Sequence, residues 1–193
     1  MKALIVLAHP NPKSFSAAIA STVGEQLRSN GVEVKIKDLY REKFNPILTH
    51  EDLGGIFSGK IPAEIKKEQD AVAWADRLIF VYPIWWLTTP AILKGWLERV
   101  LCFGFAYSLD KTGPKGLLKH DKNLVIQMCG SPRAAYEAKN WAWALKPSLI
   151  ERDLEFCGLN NVTVYNCEGV GSSTPELRTQ WLNDVQGLVK NWK

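Results

Sequence analysis

The chain has 193 residues, 46% of them apolar and 23% charged, with a formal net charge of +4. This is enough for one domain, residues 1–193, with a sizeable core, and the balance excludes a disordered or fibrous protein. No apolar run approaches the ~20 residues of a membrane-spanning helix.

Met1-Lys2 leads straight into an apolar segment, without a signal-peptide layout, so a cytoplasmic location is expected. Lys and Arg are scattered, and no basic stripe alternates with aromatics, which argues against nucleic-acid binding. Cys102, Cys129, Cys157 and Cys167 form no C-x-x-C pair and read as free, mostly buried thiols. His9, His50 and His120 are far apart and lack metal-ligand spacing, so no metal site is expected.

Ala3 to Ala8 is a continuous apolar run, which predicts a strand buried on both faces. His9-Pro10-Asn11-Pro12 ends it. A helix is expected from Ser14 or Phe15, with Ile19, Val23 and Leu27 on its inner side and Asn30-Gly31 as its stop. Val32 to Lys37 alternates apolar and polar, as at a sheet edge. Asp38 to Gly59 reads as a long surface excursion with one short helix. Pro62 opens a helix with Ile65, Val72 and Trp74 turned inward.

Leu78 to Tyr82 is the next buried strand, stopped by Pro83. Four large apolar residues follow, Ile84-Trp85-Trp86-Leu87. Thr88 and Thr89 are placed to cap a helix whose stripe is Leu93, Trp96, Leu97, Val100 and Leu101. Ser108 to Asp121, with two glycines, a proline and three lysines, reads as a loop. Asn123 to Met128 is a fourth strand, closed by Cys129-Gly130-Ser131-Pro132. Arg133 to Trp143 is rich in helix formers, and Pro147 starts a helix carrying Leu149, Ile150 and Leu154 that ends at Cys157-Gly158. Val162 to Asn166 is the fifth strand. Ser173-Thr174-Pro175-Glu176 resembles a capping box, leading into a last helix with Leu177, Trp181, Val185, Leu188 and Trp192 on one stripe.

Strands alternating with helices predict an α/β fold with right-handed crossovers. Five strands fit a flavodoxin-like three-layer sandwich, a five-stranded parallel sheet of order 2-1-3-4-5 with helices on both faces. The loops after strands one, three and four then converge: His9–Phe15, Pro83–Thr89 and Cys129–Tyr136. The first brings Ser14, Phe15 and Ser16 to a helix N-terminus, where free N–H groups suit a phosphate; a plain serine cap beside a packed Phe15 is the competing reading. The second offers a flat apolar shelf, though Trp85 and Trp86 would serve equally as packing. The third offers Gly130 for close backbone approach and Tyr136 as a donor. Walker and G-x-G-x-x-G spacings are absent, as is any assembled catalytic triad. A phosphate cradle, an apolar shelf and few acid–base groups fit a group that brings its own chemistry, and a flavin is the natural candidate.

H-x-x-x-x-S-F from His9 to Phe15, YPIWWLTTPAILKGWLERV from Tyr82 to Val100 and F-A-Y from Phe105 to Tyr107 resemble the NAD(P)H:quinone oxidoreductases of the flavodoxin-like superfamily. The likeness runs from Met1 to about Tyr136 and thins thereafter. It implies FAD, with FMN as the alternative, NADPH or NADH as donor, and a small aromatic acceptor such as a quinone. By matched positions, His9, Ser14, Phe15 and Ser16 would face the diphosphate and ribityl part. Pro83, Ile84, Trp85, Trp86 and Leu87 would line the ring, and Met128, Cys129, Gly130 and Ser131 its other edge. Tyr136 would hydrogen-bond the substrate. The resemblance also implies a homodimer with sites at its interface; no direct membrane insertion is expected, since the apolar runs are short. Two positions depart from the pattern: Met128-Cys129-Gly130-Ser131 replaces T-T-G-G, and Ala142 stands where better-known members carry a histidine. An alternative on the same fold is a flavin-bearing ancillary subunit of a potassium-efflux system.

Overall fold

The computed structural model describes residues 1–145 and 148–193. In chain order the elements are β1 (Lys2–Leu7), α1 (Phe15–Ser29), β2 (Glu33–Asp38), α2 (His50–Ser58), α3 (Ala63–Trp74), β3 (Arg77–Pro83) and α4 (Ala91–Val100). There follow β4 (Tyr107–Asp110), β5 (Gly113–Gly116), β6 (Asn123–Cys129), α5 (Arg133–Ala138), α6 (Ser148–Phe156), β7 (Val162–Glu168) and α7 (Pro175–Val189). Five parallel strands form one sheet in the order β2-β1-β3-β6-β7, which is the order the sequence predicts.

The strands read as continuous apolar runs because both faces are covered. Leu4, Val6, Phe80 and Val125 face a layer containing Leu93, Trp96 and Leu154. Ile5, Leu7, Val81 and Ile126 face Ile19, Val23, Leu27, Trp181 and Val185 on α1 and α7. Helix α1 begins where Ser14 Oγ accepts the Ala17 N–H at 3.2 Å, and its chain turns at Gly31, φ +82°. All four cysteines are free and buried. Among the described residues, no helix is long and apolar enough to cross a membrane.

The long excursion after β2 is seated on α4. A Cβ at Gly95 would lie 2.1 Å from the Pro46 carbonyl oxygen, so only glycine admits this approach. One turn on, buried Arg99 donates to Asn45 O at 2.6 Å, Asp52 Oδ2 at 3.0 Å and Glu64 Oε1 at 2.6 Å. Thr49 and Asp52 form a capping box for α2, so one carboxylate serves both helix and ion pair.

Several expectations are corrected. Thr88 and Thr89 do not cap α4, whose N-cap is Pro90; Thr88 is drawn into a tight turn described below. The expected loop from Ser108 holds an antiparallel hairpin, β4 with β5. The hairpin rests on the end of α6, where a Cβ at Gly116 would come within 2.2 Å of Gly158 N and Leu118 N donates to Cys157 O. Such a long-range contact leaves no local trace. Trp74 turns inward as expected, half-buried against the first core layer, with the ammonium of Lys35 3.9 Å from its ring centroid. Thr174, not Ser173, caps α7, with Pro175 at its first turn. The expected helix after Pro132 breaks into α5 and a 3₁₀ turn, Ala142–Leu145. Pro147 and the side chain of Leu149 lie outside the described residues.

His120 ties the linker before β6 to the end of α3. Its Nε2 lies 3.0 Å from Val72 O, and its carbonyl accepts from Asn123 Nδ2 at 3.1 Å. Burial lowers its pKa below the ordinary 6.5.

Two expectations follow. Replacing Arg99 with Leu strands Asp52 without its partner and should cost about 3–5 kcal/mol in urea unfolding. The folded state binds the His120 proton less readily than the unfolded chain. Its contribution is therefore complete above pH 6.5 and is lost as pH falls below that value. A thermal midpoint that falls on acidification, with the slope reduced in His120→Gln, checks this.

Candidate active site

Backbone hydrogen bonds carry the strand pairing past the strand ends. Ala8 N donates to Val81 O at 3.0 Å, and Ile84 N donates to Met128 O at 2.9 Å. The loops after β1, β3 and β6 are thereby held side by side. They meet in a cleft of 190 Å³ lined by His9, Phe15, Ser16, Pro83, Ile84, Trp85, Met128 and Gly130.

At one wall, the N–H groups of Phe15 and Ser16 begin α1 without an acceptor among the described residues, since Ser14 serves Ala17. This is the N-terminal end of a fifteen-residue helix, where the helix dipole is positive. His9 Nδ1 accepts the Asn11 N–H at 3.0 Å, which leaves the proton of the neutral ring on Nε2, a donor at the cleft wall. Burial keeps the His9 pKa below its usual value. The ring also packs on Trp85, 5.6 Å between centroids.

Trp85 and Thr88 bond each other's backbone in both directions, at 3.0 and 3.1 Å, closing a two-residue turn over Trp86 and Leu87. Both central residues are left-handed, φ 50° and 63°. Tight turns of this sense favour Asn-Gly, and a bulky residue there costs roughly 1–2 kcal/mol. The turn presents Trp86 at 98% exposure, outside the cleft lining.

The third loop is pinned by Gly169 N, which donates to Cys129 O and Ser131 O. Gly130 has open space where a Cβ would stand. The Cys129 side chain is fully buried, and burial raises its pKa to about 12, so it offers a ligand only its backbone. Tyr136 packs with Ile84, Cys129, Ala144 and Leu145, and half-buried Leu87 joins them. Burial raises the pKa of the Tyr136 phenol, keeping it an O–H donor at neutral pH. Ser14, Leu87, Ser131 and Tyr136 thus flank the cleft without lining it.

Val170 and Gly171, after β7, complete the cleft and were not expected from the sequence. Arg178 is a further addition. Its guanidinium lies over the Phe15 ring, 5.7 Å from the centroid, held by Ser173 Oγ at 2.8 Å. The only local signal was an arginine in the first turns of the last helix.

The residues fit a flavin: an aromatic and aliphatic shelf lies beside two unpaired helix N–H groups in one open cleft. Among the described residues no cluster of His, Cys, Asp or Glu could hold a metal ion.

Parallel order with a cleft at the strand ends defines the flavodoxin-like class. Residues 1–188 match a family model described as flavodoxin-like fold. A Haemophilus influenzae protein named as an uncharacterized NAD(P)H oxidoreductase is 42% identical over 163 residues, 84% of this chain and 81% of the relative. NAD(P)H dehydrogenase (quinone) 1 of Cavia porcellus is 33% identical over 214 residues, covering 98% and 76%. Among solved structures, the NAD(P)H:quinone oxidoreductase of Methanothermobacter marburgensis superposes with a TM-score of 0.89 at 28% identity, covering 100% and 99%. The chain belongs to the NAD(P)H:quinone oxidoreductase family of this fold, and it is an oxidoreductase.

Asparagine tolerates the left-handed region better than tryptophan does. Trp86→Asn should therefore raise the unfolding free energy of the ligand-free protein by roughly 0.5–1 kcal/mol. Urea titration of the two proteins reads the difference directly.

Proposed function

We propose that the protein is a flavin-dependent NAD(P)H oxidoreductase that reduces quinones or similar flat electrophiles two electrons at a time. The observation that carries this reading is the convergence of the α1 N–H pair and the Ile84–Trp85 shelf on one cleft. A bound flavin would supply the redox chemistry, accepting hydride from NADPH or NADH and passing it to the acceptor.

The protein's own part is binding and orientation. Phe15 and Ser16 N–H groups, with His9 Nε2–H, would hold the phosphate side, and Arg178 adds positive charge nearby. FAD is the expected flavin, with FMN as the alternative, since a helix N-terminus suits a phosphate of either. Pro83, Ile84 and Trp85 would support the ring, with Trp86 and Leu87 in the turn beside it. Met128, Cys129, Gly130 and Ser131 would present mainly backbone to its other edge. Tyr136 would donate to the acceptor. Stacking the two rings at near-attack distance replaces a bimolecular search with a held geometry. Donor and acceptor would use the cleft in turn, which gives ping-pong kinetics.

A homodimer fits a second feature, an apolar groove of 290 Å³ lined in part by Leu53, Phe57, Phe103, Tyr107 and Phe156. Phe57 is 71% exposed in the single chain. The named relatives are oxidoreductases, and none supports the ancillary-subunit reading.

The purified protein should show a flavin absorption spectrum that bleaches within seconds on adding NADPH or NADH without oxygen and returns on adding a quinone. Chromatography of the released chromophore separates FAD from FMN. Failure to bind either flavin after reconstitution would sink the proposal, and intersecting initial-rate patterns would sink the ping-pong order. Trp85→Ala should weaken flavin binding roughly tenfold, for loss of about 1.4 kcal/mol of contact.

A further inference from the structure

Three polar side chains stand side by side at the last rung of one sheet face that spans all three strands: Tyr82 on β3, Gln127 on β6 and Asn166 on β7. The register pairs Tyr82 with Gln127 and Gln127 with Asn166. Two residues earlier the same rung reads Phe80, Val125 and Val164, all apolar. The polar row is therefore a change confined to the end of the sheet that carries the cleft. Tyr82 is fully buried and Gln127 nearly so.

The Gln127 amide nitrogen lies 2.7 Å from the Tyr82 hydroxyl, and Asn166 Nδ2 donates to Leu145 O at 2.8 Å. Two buried acceptors, Gln127 Oε1 and Asn166 Oδ1, have no partner among the described residues. A buried acceptor without a partner has lost its water and gained no bond in exchange, so such groups are rare in folded proteins. With Nε2 turned to β3, Oε1 is turned to β7, where Asn166 stands in register about 4.8 Å away. Amide oxygen and nitrogen are nearly the same size, and the hydrogen-bond network decides which is which. The 2.7 Å separation also suits O–H···O better than N–H···O.

We infer that the Gln127 amide stands rotated by half a turn, making the row a one-way relay whose last member positions the 3₁₀ turn that packs on Tyr136. Tyr82 O–H donates to Gln127 Oε1, Gln127 Nε2–H donates to Asn166 Oδ1, and Asn166 Nδ2–H donates to the Leu145 carbonyl. One rotation satisfies both orphaned acceptors and leaves every other bond in place.

The relay joins two parts of the site. Tyr82 precedes the Pro83-Ile84 shelf. Leu145 ends the 3₁₀ turn that packs on Tyr136 and Ile84, and Trp141 N donates to Tyr136 O at 2.7 Å. Gln127 and Asn166 are thus positioning residues. They set the spacing between Tyr136 and the shelf, where the acceptor binds if the proposed function holds.

The test is side-chain amide hydrogen exchange at Gln127, followed by NMR, with steady-state kinetics alongside. In the relay, Asn166→Ala should speed exchange of the Gln127 Nε2 protons roughly tenfold, while Tyr82→Phe leaves their acceptor in place and changes exchange less than about twofold. The reverse pattern, acceleration by Tyr82→Phe alone, overturns the relay. Asn166→Asp keeps an acceptor for Gln127 but has no donor for Leu145. It should preserve the protection, yet raise the acceptor KM roughly fivefold with kcat nearly unchanged. This variant also serves if Asn166→Ala fails to fold. A fall in kcat at constant KM would show lost active protein and overturn the positioning role. If no flavin binds at all, the proposed function fails while the exchange pattern still decides the relay.

Discussion

The site depends on one arrangement of backbone hydrogen bonds: β3 is paired on both edges, with β1 as far as Val81 and with β6 as far as Pro83. Its neighbour on one side, β1, is bonded through Ala8, and its neighbour on the other, β6, is reached through Ile84. Three consecutive strands in space are separated in sequence by 75 and 46 positions at their starts, Lys2, Arg77 and Asn123. Parallel pairing alone brings their carboxyl ends together. Pro83 has no N–H to offer toward β1, so pairing beyond Val81 continues only on the β6 edge, where Ile84 N still reaches Met128 O. The apolar runs that build the core and the loops that build the cleft are thus consequences of the same pairing.

The molecule divides its polar groups by what they hold. Arg99, Asp52 and Glu64 are spent on a distant excursion, which Gly95 allows to lie against α4. Lys37 and Glu68 form a second buried pair at 2.7 Å, and Trp96 Nε1 donates to the other oxygen of Glu68 at 3.1 Å. Neither network approaches the cleft lining. The cleft keeps short-reach groups, chiefly backbone N–H and one neutral imidazole.

Much of the architecture was legible because local signals agreed with the global fold. Ala3 to Ala8 and Leu78 to Tyr82 read as strands buried on both faces, and Ser14 and Asn30-Gly31 marked the ends of α1. Misreadings fall where a local signal had a competing use. Thr88 looked like a cap, but the turn over Trp86 and Leu87 consumes its backbone, and Pro90 starts the helix. The β4–β5 hairpin depends on Gly116 meeting Gly158, forty-two positions away, so its own lysine-rich sequence resembles a loop. Of the residues that line the cleft, His9, Phe15, Ser16, Ile84 and Trp85 follow from strand-end logic. Val170, Gly171 and Arg178 escaped it because the fifth strand was not expected to send a loop to the cleft.

Lys37 carries a consequence for folding fidelity. Strand β2 lies at the sheet edge, where open backbone groups invite pairing with other chains. An edge strand with a buried lysine is a poor template for that pairing. A slip of one residue would carry Lys37 to the opposite face, away from Glu42 and Glu68, and strand the carboxylate that also holds Trp96. The ion pair thus acts as a lock against one-residue slips: shifting β2 on β1 by a single residue leaves buried Glu68 without its lysine.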